Sequence, residues 1–339
     1  MPLVCALIGT GMVAGTHVAA INASQKVALK GVTARSQASA QAFADAHTVQ
    51  AYADVPAIAA DPTIDFAIIV TPPNARMDLI SPLAKAGKPI LLEKPIARDG
   101  IEAAQVVKVC EDAGVPLGIV FQHRMREASL KATQLVASDT LGKLGLAEIN
   151  VPWWREQAYY DEPERGTYAR DGGGVLISQA IHTIDLALSL TGPVTSVQAM
   201  TATTQFHAME AEDFATAGLK FENGAVGSLV ASSASFPGNA ETITLHFEKA
   251  SLHLGSGVLT VNWRSGETDT FGASASTGGG ADPMAFTHAW HQGIIEDFCD
   301  AIAEGSDPIV TGRQALASHA LIDAITASSK SGSTVELAQ

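Results

Sequence analysis

The chain is poor in cysteine, in basic residues and in long apolar runs, and each shortage excludes something. Three cysteines, Cys5, Cys110 and Cys299, stand far apart and are odd in number. That spacing fits neither a disulfide framework nor a cysteine metal site, and it suits a reducing compartment. Lys and Arg number 21 against 35 Asp and Glu, a net charge of −14. Nucleic acid and an anionic membrane both need a basic surface, so neither is expected as a partner. Residues 3–21 are apolar, but they lack a basic leader and are broken by Gly9, Gly11, Gly15 and His17, which argues against a signal peptide. No other run approaches the ~18 apolar residues of a membrane span. A cytoplasmic protein is expected. What remains is core: 47% hydrophobic residues in 339 positions, enough for two domains.

Leu3-Val4-Cys5-Ala6-Leu7-Ile8 is a short continuous apolar run, the pattern of a buried parallel strand. Gly9-Thr10-Gly11-Met12-Val13-Ala14 follows at once and reads G-x-G-x-x-A, a variant of the dinucleotide fingerprint. The first glycine makes the tight turn, the second admits a pyrophosphate, and the small third residue packs helix on strand. A helix over 12–23 then aims its N-terminus at the phosphates. Strands at 27–34, 65–70, 89–92 and 115–121 alternate with helices at 38–46, 75–86 and 101–113. This alternation predicts a doubly wound parallel sheet, whose ligands lie beyond the carboxyl ends of the strands. Thr71-Pro72-Pro73 and Glu93-Lys94-Pro95 each follow a strand and are thereby placed at the site. A solvated loop lysine is the plainer reading of Lys94, and its position disfavours it. Pro95 makes a cis bond available there.

Residues 171–191 carry a second signal. Gly172-Gly173-Gly174 ends a loop, an apolar run continues at helical spacing to Thr191, and Gly192-Pro193 stops it. Ser178, His182 and Asp185 fall at i, i+4 and i+7, on one face of a largely buried helix. Such a polar stripe faces either packed partners or a cleft.

Phe121-Gln122-His123-Arg124 marks a crossing between domains, followed by a helix over 126–137 and a strand over 144–152. Trp153, Trp154, Arg155, Tyr159, Tyr160, Arg165, Tyr168 and Arg170 then crowd into eighteen residues. Aromatic faces with arginine forks suit a sugar or an anionic group; a packed loop with salt-bridged arginines is the other reading. From Val194 the pattern turns to consecutive strands through Trp263, with an Asn223-Gly224 hairpin signal, and predicts a mostly antiparallel sheet. Thr270–Asp282 reads as a mobile Gly/Ser/Ala loop, and helices are expected over 284–304 and 313–329. His288 and His291 lie three apart on the first of these. No third metal ligand is evident, so both are read as structural or surface residues and no metal is expected.

Gly9–Gly15, Thr71-Pro72-Pro73, Glu93-Lys94-Pro95-Ile96-Ala97 and Gly172-Gly173-Gly174 through His182-x-x-Asp185 occur in an order and spacing that resembles the Gfo/Idh/MocA family of NAD(P)-dependent oxidoreductases. The resemblance covers nearly the whole chain. It implies an α/β Rossmann domain over 1–122 and an α+β domain over 123–339. The second domain carries a large, mostly antiparallel open sheet, and its last helices are free to pack back on the first. That sheet is implied to join subunits in a homodimer or homotetramer. Oxidising a secondary alcohol needs a base, a donor for the developing alkoxide and a hydride acceptor. Lys94 and His182 are the expected acid–base pair, with Ser178 and Asp185 in support and Asp185 placed to orient the imidazole. The family usually has Asp where this chain has Ser178, so a Lys–Asp–His relay is not carried over. Many relatives have His where this chain has Arg76, which stays unassigned.

Gly9, Gly11, Met12, Val13, Arg35, Ser36, Thr71, Pro72, Glu93 and Lys94 are the expected cofactor contacts. Arg124, Trp154, Arg155, Tyr159, Arg165 and Arg170 are candidates for the small-molecule substrate. An acidic residue about 20 residues past the glycine motif normally grips the ribose 2′-hydroxyl. Ala34 stands there, beside Arg35 and Ser36, so NADP is expected over NAD. A solvated Arg35 and a site open to both cofactors is the alternative. Beside a sugar or cyclitol dehydrogenase, a redox-neutral glycosidase on bound NAD and a non-catalytic nucleotide sensor remain as readings.

Overall fold

The computed structural model describes residues 1–276, 278, 284 and 286–337. The chain forms two compact units, Met1–Gln122 with His288–Leu316, and His123–Thr287 with Ala317–Gln339. The first begins β1 (Leu3–Ile8), α1 (Ala14–Ala23), β2 (Val27–Thr33), α2 (Gln37–His47), β3 (Gln50–Ala51) and α3 (Val55–Ala60). It continues β4 (Phe66–Ile69), α4 (Arg76–Lys85), β5 (Ile90–Glu93), α5 (Gly100–Asp112) and β6 (Leu117–Val120). The strands pair in parallel in the order β3-β2-β1-β4-β5-β6. Every residue of β4, β5 and β6 is buried, which is why these strands read as unbroken apolar runs. Winding reverses between β1 and β4, and that reversal opens a crevice at their carboxyl ends. Asp54 and Asp99 cap α3 and α5 by accepting from the third helical N–H at 2.8 Å in each case. α1 has neither a side-chain cap nor an acid in its first turn.

The chain goes on with α6 (Glu127–Ala137), β7 (Leu144–Pro152), the single turn α7 (Gln157–Tyr160), α8 (Ile181–Thr191), β8 (Val194–Ala202), β9 (Phe214–Phe221) and β10 (Val226–Ser232). Then come β11 (Thr242–Phe247), β12 (Ala250–Gly255), β13 (Val258–Trp263), β14 (Thr268–Gly272), α9 (Ala289–Glu304), α10 (Gly312–Ser331) and β15 (Val335–Glu336). The nine strands of the second unit order as β14-β13-β12-β11-β7-β10-β9-β8-β15, antiparallel except for β7 beside β10. Residues alternate along β7, with Ala147, Ile149 and Val151 buried and Leu146, Glu148 and Asn150 exposed. α6 and α8 pack against this sheet. The hairpin between β9 and β10 turns at Gly224, φ +86°.

Three edge strands, β3, β14 and β15, are absent from the sequence expectation. The expected Gly/Ser/Ala loop, Thr270–Asp282, begins inside β14, and its residues 277 and 279–282 lie outside the described residues. α9 returns to the first unit, where Phe298 meets Phe66 edge to face at 5.6 Å. Among the described residues no helix is long and apolar enough to cross a membrane.

Candidate active site

Gly9 ends β1 at φ +112°, where a side chain would be strained and would crowd Val70 and Thr71. A Cβ on Gly11 would meet nothing within 4 Å, so the turn borders open space. Met12 is exposed and Val13 half-buried at the uncapped start of α1. The bare N–H groups of this turn and helix start suit a pyrophosphate. Thr71 and Pro72 follow β4 on the same edge of the sheet. Thr71 Oγ1 is buried with no hydrogen-bond partner among the described residues, an acceptor and donor left over for a ligand. The residues therefore fit a dinucleotide. A groove of about 640 Å³ lies at the other edge of the sheet, by Pro89, Pro116 and Gly312, and has no part in this cradle.

Lys94 is half-buried at the end of β5 and precedes a cis bond to Pro95. Two devices hold its backbone. Arg76, 2% exposed at the start of α4, donates Nε and Nη2 to the Thr71 carbonyl at 3.1 and 2.8 Å. Its Nη1 donates to the Glu93 carbonyl, and Nη2 reaches the Lys94 carbonyl at 3.4 Å. Burial pushes this guanidinium down to about 9, against the opposing charge of Glu93. On the other side Glu93, expected among the cofactor contacts, turns its carboxylate inward. Oε1 lies 2.8 Å from His17 Nε2 and 3.6 Å from His291 Nε2. Burial disfavours the charged carboxylate, but the two histidines outweigh it and hold the acid well below the usual range.

The donor atoms of His17, Glu93 and His291 lie within 4.8 Å of one another, a set a divalent cation could use. His17 Nδ1, however, is buried with no partner among the described residues. A metal-bound imidazole would carry its proton on that nitrogen. The proton is better placed on Nε2, facing Glu93, so the cluster is a hydrogen-bonded anchor.

In the second unit the three glycines have a steric cause. Gly172 and Gly173 have φ of +85° and +156°, and a Cβ on Gly174 would stand 1.7 Å from the Glu212 carbonyl oxygen. The Glu212 carboxylate accepts from Gly174 N at 3.1 Å and Leu176 N at 3.2 Å, an acid at a helix start. Burial raises the Glu212 carboxyl, and these backbone bonds oppose it. A π-helical turn, Leu176–Ala180, then leads into α8 and carries the half-buried Ser178.

His182, 6% exposed, stacks on His123 with ring centroids 4.8 Å apart and planes at 26°. Asp185 gives both oxygens to Arg124, at 2.7 Å to Nε and 2.8 Å to Nη2. Both carboxylate oxygens of Asp185, expected to orient the imidazole, are thus engaged by a guanidinium. Burial raises the Asp185 carboxyl, with Arg124 opposing. His123 is the residue the sequence does not single out, because nothing in its local pattern links it to α8. Behind it a cavity of about 20 Å³, the size of one water, is lined by His123, Arg126, Ser129, Thr183 and Glu241. Lys94 belongs to the first unit and His182 to the second.

The arginines of 153–170 are engaged inside their own unit. Arg155, 3% exposed, donates to the Trp154 and Gly278 carbonyls at 2.8 Å each and lies over Trp153 and Tyr159. Its own carbonyl lies 2.8 Å from His207 Nε2, whose Nδ1 lies 2.8 Å from Asp213. Arg165 pairs with Glu162 and covers Tyr159 at 4.3 Å. Arg170 donates to the Pro163 carbonyl at 2.7 Å and lies 3.6 Å from Asp171. Trp154 binds Glu156 through Nε1 and stands edge-on to the exposed Phe206 and Phe236. This geometry favours the packed-loop reading of the segment over an anion site.

Comparison with known proteins adds three findings. A D-apiose dehydrogenase of Paraburkholderia graminis is 27% identical over 347 aligned positions, covering 98% of this chain and 89% of the relative. The WlbA dehydrogenase of Bordetella pertussis, solved with NADH and UDP-GlcNAcA, is 27% identical with a TM-score of 0.84 over 100% of both chains. A levoglucosan dehydrogenase solved with NADH and levoglucosan shares the fold at 24% identity, with a TM-score of 0.87 over 100% of both chains.

The expectation of NADP over NAD is corrected here, since the WlbA dehydrogenases, at 27% and 28% identity, are solved with NADH. The physical reason is that Ala34 removes a repulsion without supplying a grip. Arg35 is exposed, and Ser36 is occupied as the cap of α2, accepting from Ser39 N at 3.4 Å. Residues 3–121 match the NAD-binding Rossmann fold of the oxidoreductase family GFO/IDH/MocA, and residues 129–253 match the C-terminal domain of the same family. With the glycine cradle, the strand-end lysine and the glycine-led histidine helix all in place, the chain belongs to the GFO/IDH/MocA family of oxidoreductases.

Proposed function

We propose that the chain is an NAD-dependent dehydrogenase acting on a secondary alcohol of a neutral sugar or cyclitol. The observation that carries this is the open glycine cradle at an uncapped helix start, with Lys94 ending a strand of the same sheet. Gly9, Gly11, Met12 and Val13 would hold the pyrophosphate, and Thr71, Pro72 and Lys94 the nicotinamide half. When bound, the nicotinamide supplies the hydride acceptor. Lys94 then holds the substrate oxygen and stabilises its developing charge, and His182 takes the hydroxyl proton. Ser178 contributes a neutral hydrogen bond.

The choice of a neutral substrate follows from the arginines. Arg124, Arg155, Arg165 and Arg170 already satisfy carboxylates or carbonyls, so an anionic substrate would have to displace them. Of the relatives at 27% identity, one is named for the neutral sugar D-apiose, and the other, WlbA, was solved with UDP-GlcNAcA. The open face of the large sheet carries the exposed Leu146, Met200 and Val226, which supports a homo-oligomer through that face.

The test is NADH formation from NAD against a panel of neutral sugars, cyclitols, sugar acids and nucleotide sugars. Turnover of neutral compounds supports the proposal, and preference for a sugar acid or nucleotide sugar acid overturns the substrate class. Free sugar released from a glycoside with no net NADH would mark a redox-neutral glycosidase instead.

A further inference from the structure

Arg76 is a buried cation with no carboxylate at ion-pair distance among the described residues, and it donates hydrogen bonds to the backbone carbonyls of Thr71, Glu93 and Lys94. Burying a guanidinium is costly, and an apolar side chain would fill the same space without that cost. What a guanidinium alone offers is a rigid fork that reaches several acceptors at once. Those acceptors belong to two different loops, Thr71 after β4 and Glu93-Lys94 at the end of β5. In a doubly wound sheet the half beyond the winding reversal takes the second mononucleotide, while the glycine loop after β1 takes the first. Both loops tied by Arg76 belong to that second half. His17 and His291 hold the Glu93 side chain from the opposite side, so the backbone leading to Lys94 is fixed twice.

We infer that Arg76 is a positioning residue that clasps the Thr71 and Glu93–Lys94 loops into one platform for the nicotinamide half of the cofactor. The inference rests on the NAD reading above. It requires that Arg76 serve the nicotinamide end and leave the adenosine end alone. Two probes separate these ends: ADP carries only the adenosine and its two phosphates, and NADH engages both halves.

Dissociation constants for both probes are measured by calorimetry on the full chain, its Arg76→Ala variant and its Arg76→Lys variant. In Arg76→Ala the NADH constant rises roughly tenfold while that of ADP stays within about twofold. Arg76→Lys keeps the charge but loses the fork, and falls between the parent and Arg76→Ala. An unchanged NADH constant, or equal weakening of both probes, overturns the clasp. Should Arg76→Ala fail to fold, Arg76→Lys decides alone, and a parent-like ratio of the two constants overturns it. Failure of both variants to fold would make Arg76 a folding residue and overturn it as well. A parent chain that binds neither probe would sink the NAD reading itself, a separate outcome.

Discussion

Lys94 and His182 make the most direct demand on single side chains. Lys94→Met and His182→Asn should each lower kcat by about 100-fold, the size of a lost acid–base group, while NADH binding by fluorescence persists. Ser178→Ala should be milder, since one neutral hydrogen bond is lost. Parent-like turnover in either of the first two variants removes that residue from the chemistry. The arginines should behave differently. Arg165→Ala and Arg170→Ala should leave KM unchanged, and Arg155→Ala should lower the melting temperature, because it removes the buried guanidinium that donates to the Trp154 and Gly278 carbonyls. A rise in KM at any of the three would restore an anionic substrate. Lys94 and His182 could be picked out from local pattern, as the end of an apolar run and a polar position on an apolar helix. The partners of Asp185 and Glu93 could not. Arg124 lies 61 positions from Asp185, and His17 lies 76 from Glu93, distances that no local period spans.

Helices and strands were easier to read than the side chains they carry. The sheet of the first unit follows from its apolar runs and the turns between them, because strands buried on both faces leave no polar period to confuse. β14 escaped because its Thr268-Asp269-Thr270 start is exposed and polar, as an edge strand can be. The π turn before α8 also left no trace, since Leu176 and Ile177 suit an α-helix equally well. The glycines before it were visible, but their cause was not. Gly174→Ala should destabilise the second unit by about 3 kcal/mol or more, because the new methyl overlaps backbone rather than a yielding side chain. Glu212→Gln keeps the shape and removes a charge that burial disfavours, so its loss should be smaller. Urea denaturation measures both. A Gly174→Ala variant as stable as Glu212→Gln would mean that the loop after α7 can move aside.

The chain as a whole closes its first unit with a helix drawn from residues 289–304, and that closure carries a proton-dependent contact. His291 of α9 is held below its ordinary 6.5 mainly by burial, with Glu93 opposing. The folded chain therefore takes up this proton less readily than the unfolded chain. Its contribution to stability is complete above pH 6.5 and is lost as pH falls from 6.5 through the lower folded value. Glu93 acts in the same sense but later, because its carboxyl is held well below 4.5. Asp185 and Glu212 are shifted upward and act in the opposite sense, near and above their ordinary 3.8 and 4.5. As pH falls below 6.5 the His291 effect should therefore show, with a slope of at most ~1.4 kcal/mol per pH unit. His291→Gln keeps an amide donor for Glu93 and removes the titration. The parent should lose stability below pH 6.5 in urea melts, and His291→Gln should lose much less. Equal slopes in the two proteins would assign the acid sensitivity to other groups and leave α9 as a packing element alone.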